Sequence, residues 1–244
     1  MSNRPRHLVR SAIVAIVSIS ATAPAGHAQV GHPPGSSPYR DLRSKYQVSL
    51  TGGYSWGTGG KVEVGPARGR FGGMRFDLPL AGPGAVQLGV NVGDFDRLLL
   101  DPSQAPDARV LGTATQSIIM VDAGLNLVLT GAKTWYGFAP YAGASLGLAL
   151  GSGVEAADTL SLFKFSTKFL VGPQVGFRWF PIDRISFRFE ARDVIWRLAY
   201  PNQFFDPPAN APDDDPVLDA RFNKPTQWTH NPMFLVSVGW AFGR

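Results

Sequence analysis

Apolar residues alternate with small or polar ones, position by position, through eight separate runs of this chain. In 46–56, Val48, Leu50, Tyr54 and Trp56 share one parity, while Gln47, Ser49, Thr51 and Ser55 share the other. Met74, Phe76 and Leu78 oppose Arg75 and Asp77 in 71–80; Val86, Leu88, Val90 and Val92 oppose Gln87, Gly89, Asn91 and Gly93 in 85–96. Val121, Ala123, Leu125 and Leu127 oppose Asp122, Gly124 and Asn126 in 117–129; Leu146 and Leu148 oppose Tyr141, Ser145 and Gly147 in 136–150. In 163–179, Phe163, Phe165, Phe169, Val175 and Phe177 oppose Lys164, Lys168, Gln174 and Arg178. Ile185, Phe187 and Phe189 oppose Arg188, Glu190 and Arg192 in 185–192, and Phe234, Val236, Val238 and Trp240 oppose Ser237 and Gly239 in 233–242. A period of two places successive side chains on opposite faces of a strand, so eight strands are predicted. Parity slips at Gly72-Gly73 and Asp193-Val194, where a β-bulge is expected.

The connections follow their own rule. They are short at Pro79–Gly84, Thr130–Trp135 and Phe180–Arg184, and long over 57–70, 97–116, 151–162 and 197–232. An even number of antiparallel strands joined by alternating short and long connections is the layout of a membrane β-barrel. Each run is close to the 9–11 residues that a tilted spanning strand needs. Aromatic residues fall toward the run ends (Tyr46, Trp56, Phe71, Tyr136, Phe138, Trp179, Phe180, Trp240 and Phe242), as interfacial girdles require. A soluble sandwich or lipocalin-type barrel would also alternate. Against it, the large side chains crowd onto one parity, while the other mixes glycine with both signs of charge, which suits a narrow polar lumen. The fold class predicted is all-β, an eight-stranded antiparallel up-and-down transmembrane β-barrel over 46–244.

Composition agrees. Charged residues are 17% of the chain, against roughly 25% in an average soluble domain, and 28 glycines are present. The absence of cysteine excludes a disulfide scaffold, a thiol nucleophile and cysteine-ligated metal. The net charge of +5 invites a nucleic-acid partner, but three of those charges are Arg4, Arg6 and Arg10. These precede the apolar run Ala12–Ile19 and the small-residue stretch Ala21–Ala28, the parts of a secretory signal peptide cleaved after Ala28. Removing three arginines lowers +5 to +2 and leaves no basic cluster, so no nucleic-acid partner is expected. Residues 29–45 are polar and rich in proline and glycine, and read as a disordered leader.

Several segments resemble the eight-stranded outer-membrane β-barrel family of Gram-negative bacteria, the OmpA/OmpX-type barrels. They are Ala139-Pro-Tyr-Ala-Gly-Ala-Ser-Leu-Gly147, Gly172-Pro-Gln-Val-Gly-Phe-Arg-Trp179, Phe187-Arg-Phe-Glu-Ala-Arg-Asp193 and Val236-Ser-Val-Gly-Trp-Ala-Phe242. The resemblance spans about 46–242 and concerns fold more than function. It implies export to the outer membrane, outer-membrane lipid as surroundings and the barrel-assembly machinery as a partner. Family members usually end on an aromatic residue read by that machinery; here Gly243-Arg244 follows Phe242.

Motifs for catalysis are weak. Gly143-Ala-Ser-Leu-Gly147 fits G-x-S-x-G, but that motif needs a strand-to-helix turn, and here more strand follows. His230 is the one histidine outside the leader and signal segments, at the outer end of the last strand. Asp213-Asp-Asp215 lacks the spaced ligands of a calcium loop. No catalysis, cofactor or metal is expected. The inward parity carries the more informative set: Asp77, Arg178 and Arg188 near one depth, Arg75, Asp122, Glu190 and Arg192 slightly further from the short turns, and Lys168 beyond them. Matching depths predict paired ions bracing a filled interior; the excess of basic residues leaves open a small-solute pore. The longest loop carries Phe204, Phe205, Phe222 and Trp228, which predict contact with a surface partner. The expected role is structural or loop-mediated interaction by a monomer, with a pore or a lipid- or peptide-hydrolysing enzyme as alternatives.

Overall fold

The computed structural model describes residues 37–42, 46–80, 82–151 and 162–242. The expected signal peptide and most of the leader lie outside the described residues. Ten strands occur: β1 (Tyr39–Asp41), β2 (Tyr46–Trp56), β3 (Arg68–Pro79), β4 (Gly84–Leu100), β5 (Val110–Val128), β6 (Lys133–Trp135), β7 (Phe138–Gly151), β8 (Thr167–Ile182), β9 (Ile185–Ala199) and β10 (Thr226–Phe242). Eight of them, β2–β5 and β7–β10, form one antiparallel ring in chain order. Pairing of β10 with β2, from Met233↔Ser55 to Phe242↔Tyr46, closes the ring. Closure satisfies every ladder and leaves no edge to aggregate.

Part of the leader is ordered, contrary to the expectation of disorder over 29–45. β1 pairs with β6 through Tyr39↔Trp135, Arg40↔Thr134 and Asp41↔Lys133. The Leu42 N–H donates to the Ala132 carbonyl at 2.7 Å, and the Tyr136 N–H to that of Pro38 at 2.8 Å. The β5–β7 turn would otherwise present unpaired backbone groups, and the leader satisfies them.

The two expected bulges are absent, and the reason is instructive. β3 keeps one register with β2 and β4 through Gly72-Gly73, and β9 keeps one with β10 through Asp193-Val194. The side-chain period does not slip at either point; the environment changes. Below these points inward residues are polar (Arg75, Asp77, Arg188, Glu190, Arg192) and outward ones apolar. Above them, inward positions hold Phe71, Val194, Trp196 and Leu198, all buried, while Arg68, Arg70, Asp193 and Arg197 face outward. On β4 the outward Val86, Leu88, Val90 and Val92 give way to Asp94 and Asp96 as inward positions turn to Phe95 and Leu99. On β5 the outward apolar run Ile119, Val121, Ala123, Leu125, Leu127 continues into Leu129 and ends at Ser117, whose hydroxyl donates to Asp94 at 2.5 Å. At ~3.3 Å per residue and a tilt of ~40°, that run spans roughly 25 Å, the height of a lipid-facing band.

Rings gather at the short-turn edge of the band: Tyr46, Phe76 and Phe242 lie within 6.0–6.2 Å of one another, and Trp179 stacks on Phe138 at 6.2 Å and Phe187 at 5.7 Å. Phe71 and Phe180 leave the expected girdle and point inward. Phe163 and Phe165 also depart from expectation, because β8 begins only at Thr167. Ser166, at φ 52°, turns the chain so that both rings fold inward, and Phe165 packs edge-on to Trp196 at 5.2 Å.

Candidate functional site: the lumen network and its apolar cap

Seven of the eight charges singled out on the inward parity are buried in the lumen, and three ion-pair contacts link carboxylates to arginines across the ring. The Arg75 guanidinium grips Glu190 with two parallel bonds, Nη1 to Oε2 at 2.6 Å and Nη2 to Oε1 at 2.9 Å. Arg192 bridges Glu190 at 3.3 Å and Asp122 at 3.1 Å, and Arg188 reaches Asp77 at 2.5 Å. Each of these pairs joins residues expected at like or adjoining depths, while Arg178, expected level with Asp77, is not among them. Burying such charges is costly unless each is paired and hydrogen-bonded, and forked Arg–carboxylate geometry is the strongest form of pairing.

Sequence reasoning passed over the neutral members of this belt. Tyr141 donates its hydroxyl to Glu190 Oε2 at 2.6 Å, and its ring lies 5.5 Å under the Arg188 guanidinium. A second cluster joins Gln87, Asn126 and Gln174: Asn126 Nδ2 donates to Gln87 Oε1 at 2.8 Å, and Gln174 Nε2 donates to Gln87 Oε1 at 2.8 Å and Asn126 Oδ1 at 2.7 Å. Gln47 bonds Ser186, and Thr51 bonds Ser237 at 2.9 Å. All stand on the inward parity, so their common depth was the available signal. Glycine makes room for the belt. A Cβ on Gly176 would come within 2.9 Å of the Tyr141 hydroxyl, and one on Gly172 within 2.7 Å of the Ser145 hydroxyl and 3.3 Å of Arg192.

Two of the eight do not join. Lys168 stands higher, 6.0 Å from the Phe165 ring, in apolar surroundings. Arg178 lies at the short-turn end, 5.7 Å from the Phe180 ring, and makes no ion pair with a described residue.

Above the belt the same inward parity becomes an apolar cap. Phe71, Phe95, Ile118, Met120, Leu170, Trp196, Leu198, Met233 and Leu235 from the strands pack with Val64, Tyr200, Phe204 and Leu218 from the loops. The loops are stitched to one another over it. The Tyr200 hydroxyl accepts from the Lys61 N–H at 3.1 Å and donates to Gln227 at 2.6 Å, and the Leu218 N–H donates to the Phe204 carbonyl at 2.7 Å. Burial pushes the Tyr200 phenol above its ordinary pKa.

The expected loop aromatics therefore divide. Phe204 is 0% exposed and closes the hydrophobic cluster, so its ring is not on the surface; Phe205 is partly buried, packed against that cluster. Phe222 is 78% exposed beside Arg221, and Trp228 is 55% exposed on the outward face of β10. His230 pairs with Asp193 at 2.6 Å on the outward face. Ser145 is buried in mid-strand, its hydroxyl directed at the Gly172 carbonyl, 3.4 Å away. Asp215 offers its backbone carbonyl to Arg109 at 2.8 Å. Among the described residues no group of three or more histidine, aspartate or glutamate side chains is placed to hold a metal.

No protein-family model matches the chain, and no curated protein does. Among solved structures, the outer-membrane protein OprG of Pseudomonas aeruginosa is similar with a TM-score of 0.50 and 12% identity, over 82% of this chain and 98% of that one. Neisserial surface protein A gives 0.47 and 11% over 81% and 97%, and the Yersinia pestis outer-membrane protein Ail, in a phospholipid nanodisc, 0.36 and 13% over 80% and 99%. The closed ring, the apolar outer band and the likeness to OprG agree on one fold: an eight-stranded antiparallel transmembrane β-barrel, as in outer-membrane proteins.

Proposed function

We propose that this barrel is a non-catalytic scaffold in the outer membrane that holds an ordered surface of outer loops for contact with a partner. The observation that carries this reading is the apolar cap. It fixes loops 57–67 and 200–225 by burying Val64, Phe204 and Leu218, yet leaves Phe222 and Trp228 outside. A preorganised surface loses less entropy on binding than a mobile one, and exposed aromatic rings are effective anchors. The lumen argues against a solute path, since both its levels are filled, one by ion pairs and one mainly by hydrocarbon. Export through a cleaved signal peptide and insertion by the barrel-assembly machinery belong to the same proposal, as does a monomeric state.

The test is to display the full chain on cells and probe an array of purified glycans and proteins. A ligand captured by the wild type and lost with Phe222→Ser plus Trp228→Ser supports the reading. Capture that is unchanged in the double variant, or no capture at all, sinks it.

A further inference from the structure

At the short-turn end, beneath the belt, lies a cavity of about 110 Å³ lined by Arg40, Asp41, Asp77, Arg178, Phe180 and Asp183, among others, of which Arg40, Asp41 and Asp183 are exposed to solvent. A water needs on the order of 10–15 Å³ of such space, so the cavity has room for a small polyatomic group. Two of its walls are chemically incomplete. Arg178 is only 8% exposed and makes neither an ion pair nor a hydrogen bond with any described residue. Asp77 spends Oδ2 on Arg188, while its Oδ1 is buried without a hydrogen-bond partner. The belt itself is balanced, with Arg75, Arg188 and Arg192 against Asp77, Asp122 and Glu190. Arg178 is thus a buried cation in excess of the balanced pairs, which is costly without a counter-charge.

We propose that this cavity binds inorganic hydrogenphosphate, with Arg178 and Asp77 as its two recognition groups. The guanidinium fork donates to two phosphate oxygens. The P–OH of the same group donates to Asp77 Oδ1, an acceptor that a fully deprotonated anion would be repelled by. Sulfate matches phosphate in shape and lacks that proton at neutral pH, so the pair discriminates between them. A carboxylate would satisfy Arg178 and leave Asp77 unanswered. The cavity opens among the short turns, so the ligand arrives from the periplasmic side of the barrel.

The experiment uses the full chain folded in detergent micelles, with folding verified by the mobility shift on heating. Thermal unfolding and isothermal titration are followed with inorganic phosphate, with glycerol 3-phosphate and with sulfate at equal ionic strength. Phosphate is expected to raise the unfolding temperature, because a ligand of the native state stabilises it, and to bind at least tenfold tighter than sulfate. Arg178→Gln should abolish the rise, and Arg178→Lys should weaken binding at least fivefold by losing the fork. Glycerol 3-phosphate, at neutral pH mostly a dianion without a P–OH, should bind more weakly than phosphate, and binding as tight as that of phosphate would overturn the role given to Asp77. Equal effects of phosphate and sulfate, no effect of either, or a phosphate effect that survives Arg178→Gln would overturn the proposal. Should Arg178→Gln fail to fold, the wild-type contrast between phosphate and sulfate decides it unaided.

Discussion

The lower and upper halves of the lumen are built from the same strands and the same parity, yet they hold opposite chemistry. In the lower half the outward neighbours are Val86–Val92 and Ile119–Leu127, facing lipid, and the interior is ionic. In the upper half the outward neighbours are Asp94, Asp96, Asp193 and Arg197, facing water, and the interior is mainly apolar, Phe95, Ile118 and Trp196, with Arg97, Gln116 and Asn231 buried among them. Hydrocarbon outside supplies no hydrophobic drive inward, so the lower half gains its specificity from paired ions and amides. Once the strands leave the bilayer, water outside restores that drive and the interior becomes mainly apolar, with a few buried polar side chains such as Arg97 and Asn231. Each half is ordered by whatever its outside cannot provide.

The largest effect should come from the centre of the belt. Glu190→Ala strands Arg75 and leaves Arg192 with Asp122 alone, and loss of one member of a buried pair costs about 3–5 kcal/mol; urea unfolding of the folded barrel should show it as one transition shifted for the entire molecule. The double change Arg75→Met plus Glu190→Leu removes both charges, and should recover most of that loss. Failure to recover would show that the ionic belt fixes the structure in a way that hydrocarbon cannot replace.

Trp196→Ala empties part of the cap and should cost about 3–5 kcal/mol, with a different signature. Loops 57–67 and 200–225 should become protease-sensitive while the heat-dependent gel mobility of the barrel persists. If both variants lower one common transition, the two halves are a single cooperative unit and the contrast drawn between them fails. Within the longest loop, Phe204→Ala should expose the cap in the same way, whereas Phe222→Ala should change stability by no more than about 0.5 kcal/mol.

The smallest effect concerns Asp101, in the loop after β4. Burial opposes its ionisation, but hydrogen bonds from the Ser103 hydroxyl and N–H and from Gln104 outweigh it and hold the carboxyl below its ordinary value of 3.8. A depressed pKa contributes stability that is complete above the unfolded value and lost as pH falls through the folded one. Proteolysis at 101–109 should therefore rise only below about pH 4, and Asp101→Asn should remove that dependence.

Much of this was readable in the chain because a strand's period of two is rigid. It placed Arg188 with Asp77, and Glu190 with Arg75 and Arg192, at common depths before any contact was known. The cap was legible only as an error, since Phe71 and Val194 look like parity slips to a reader who assumes one solvent along each strand. Phe163, Phe165 and Phe204 were misplaced for a related reason. Loop residues carry no period, and whether a loop ring caps the barrel or faces a partner depends on tertiary packing. Tyr141, Gln87 and Gln174 were visible as inward residues, but neutral side chains do not declare their partners by charge.

Ionic conductance of the folded full chain in a planar lipid bilayer tests the central claim most directly, because belt and cap must each seal the lumen. A silent bilayer is expected for the wild type, with silence that persists when either level alone is weakened, by Glu190→Ala or by Trp196→Ala. Sustained, reproducible channels from the wild-type protein would contradict it.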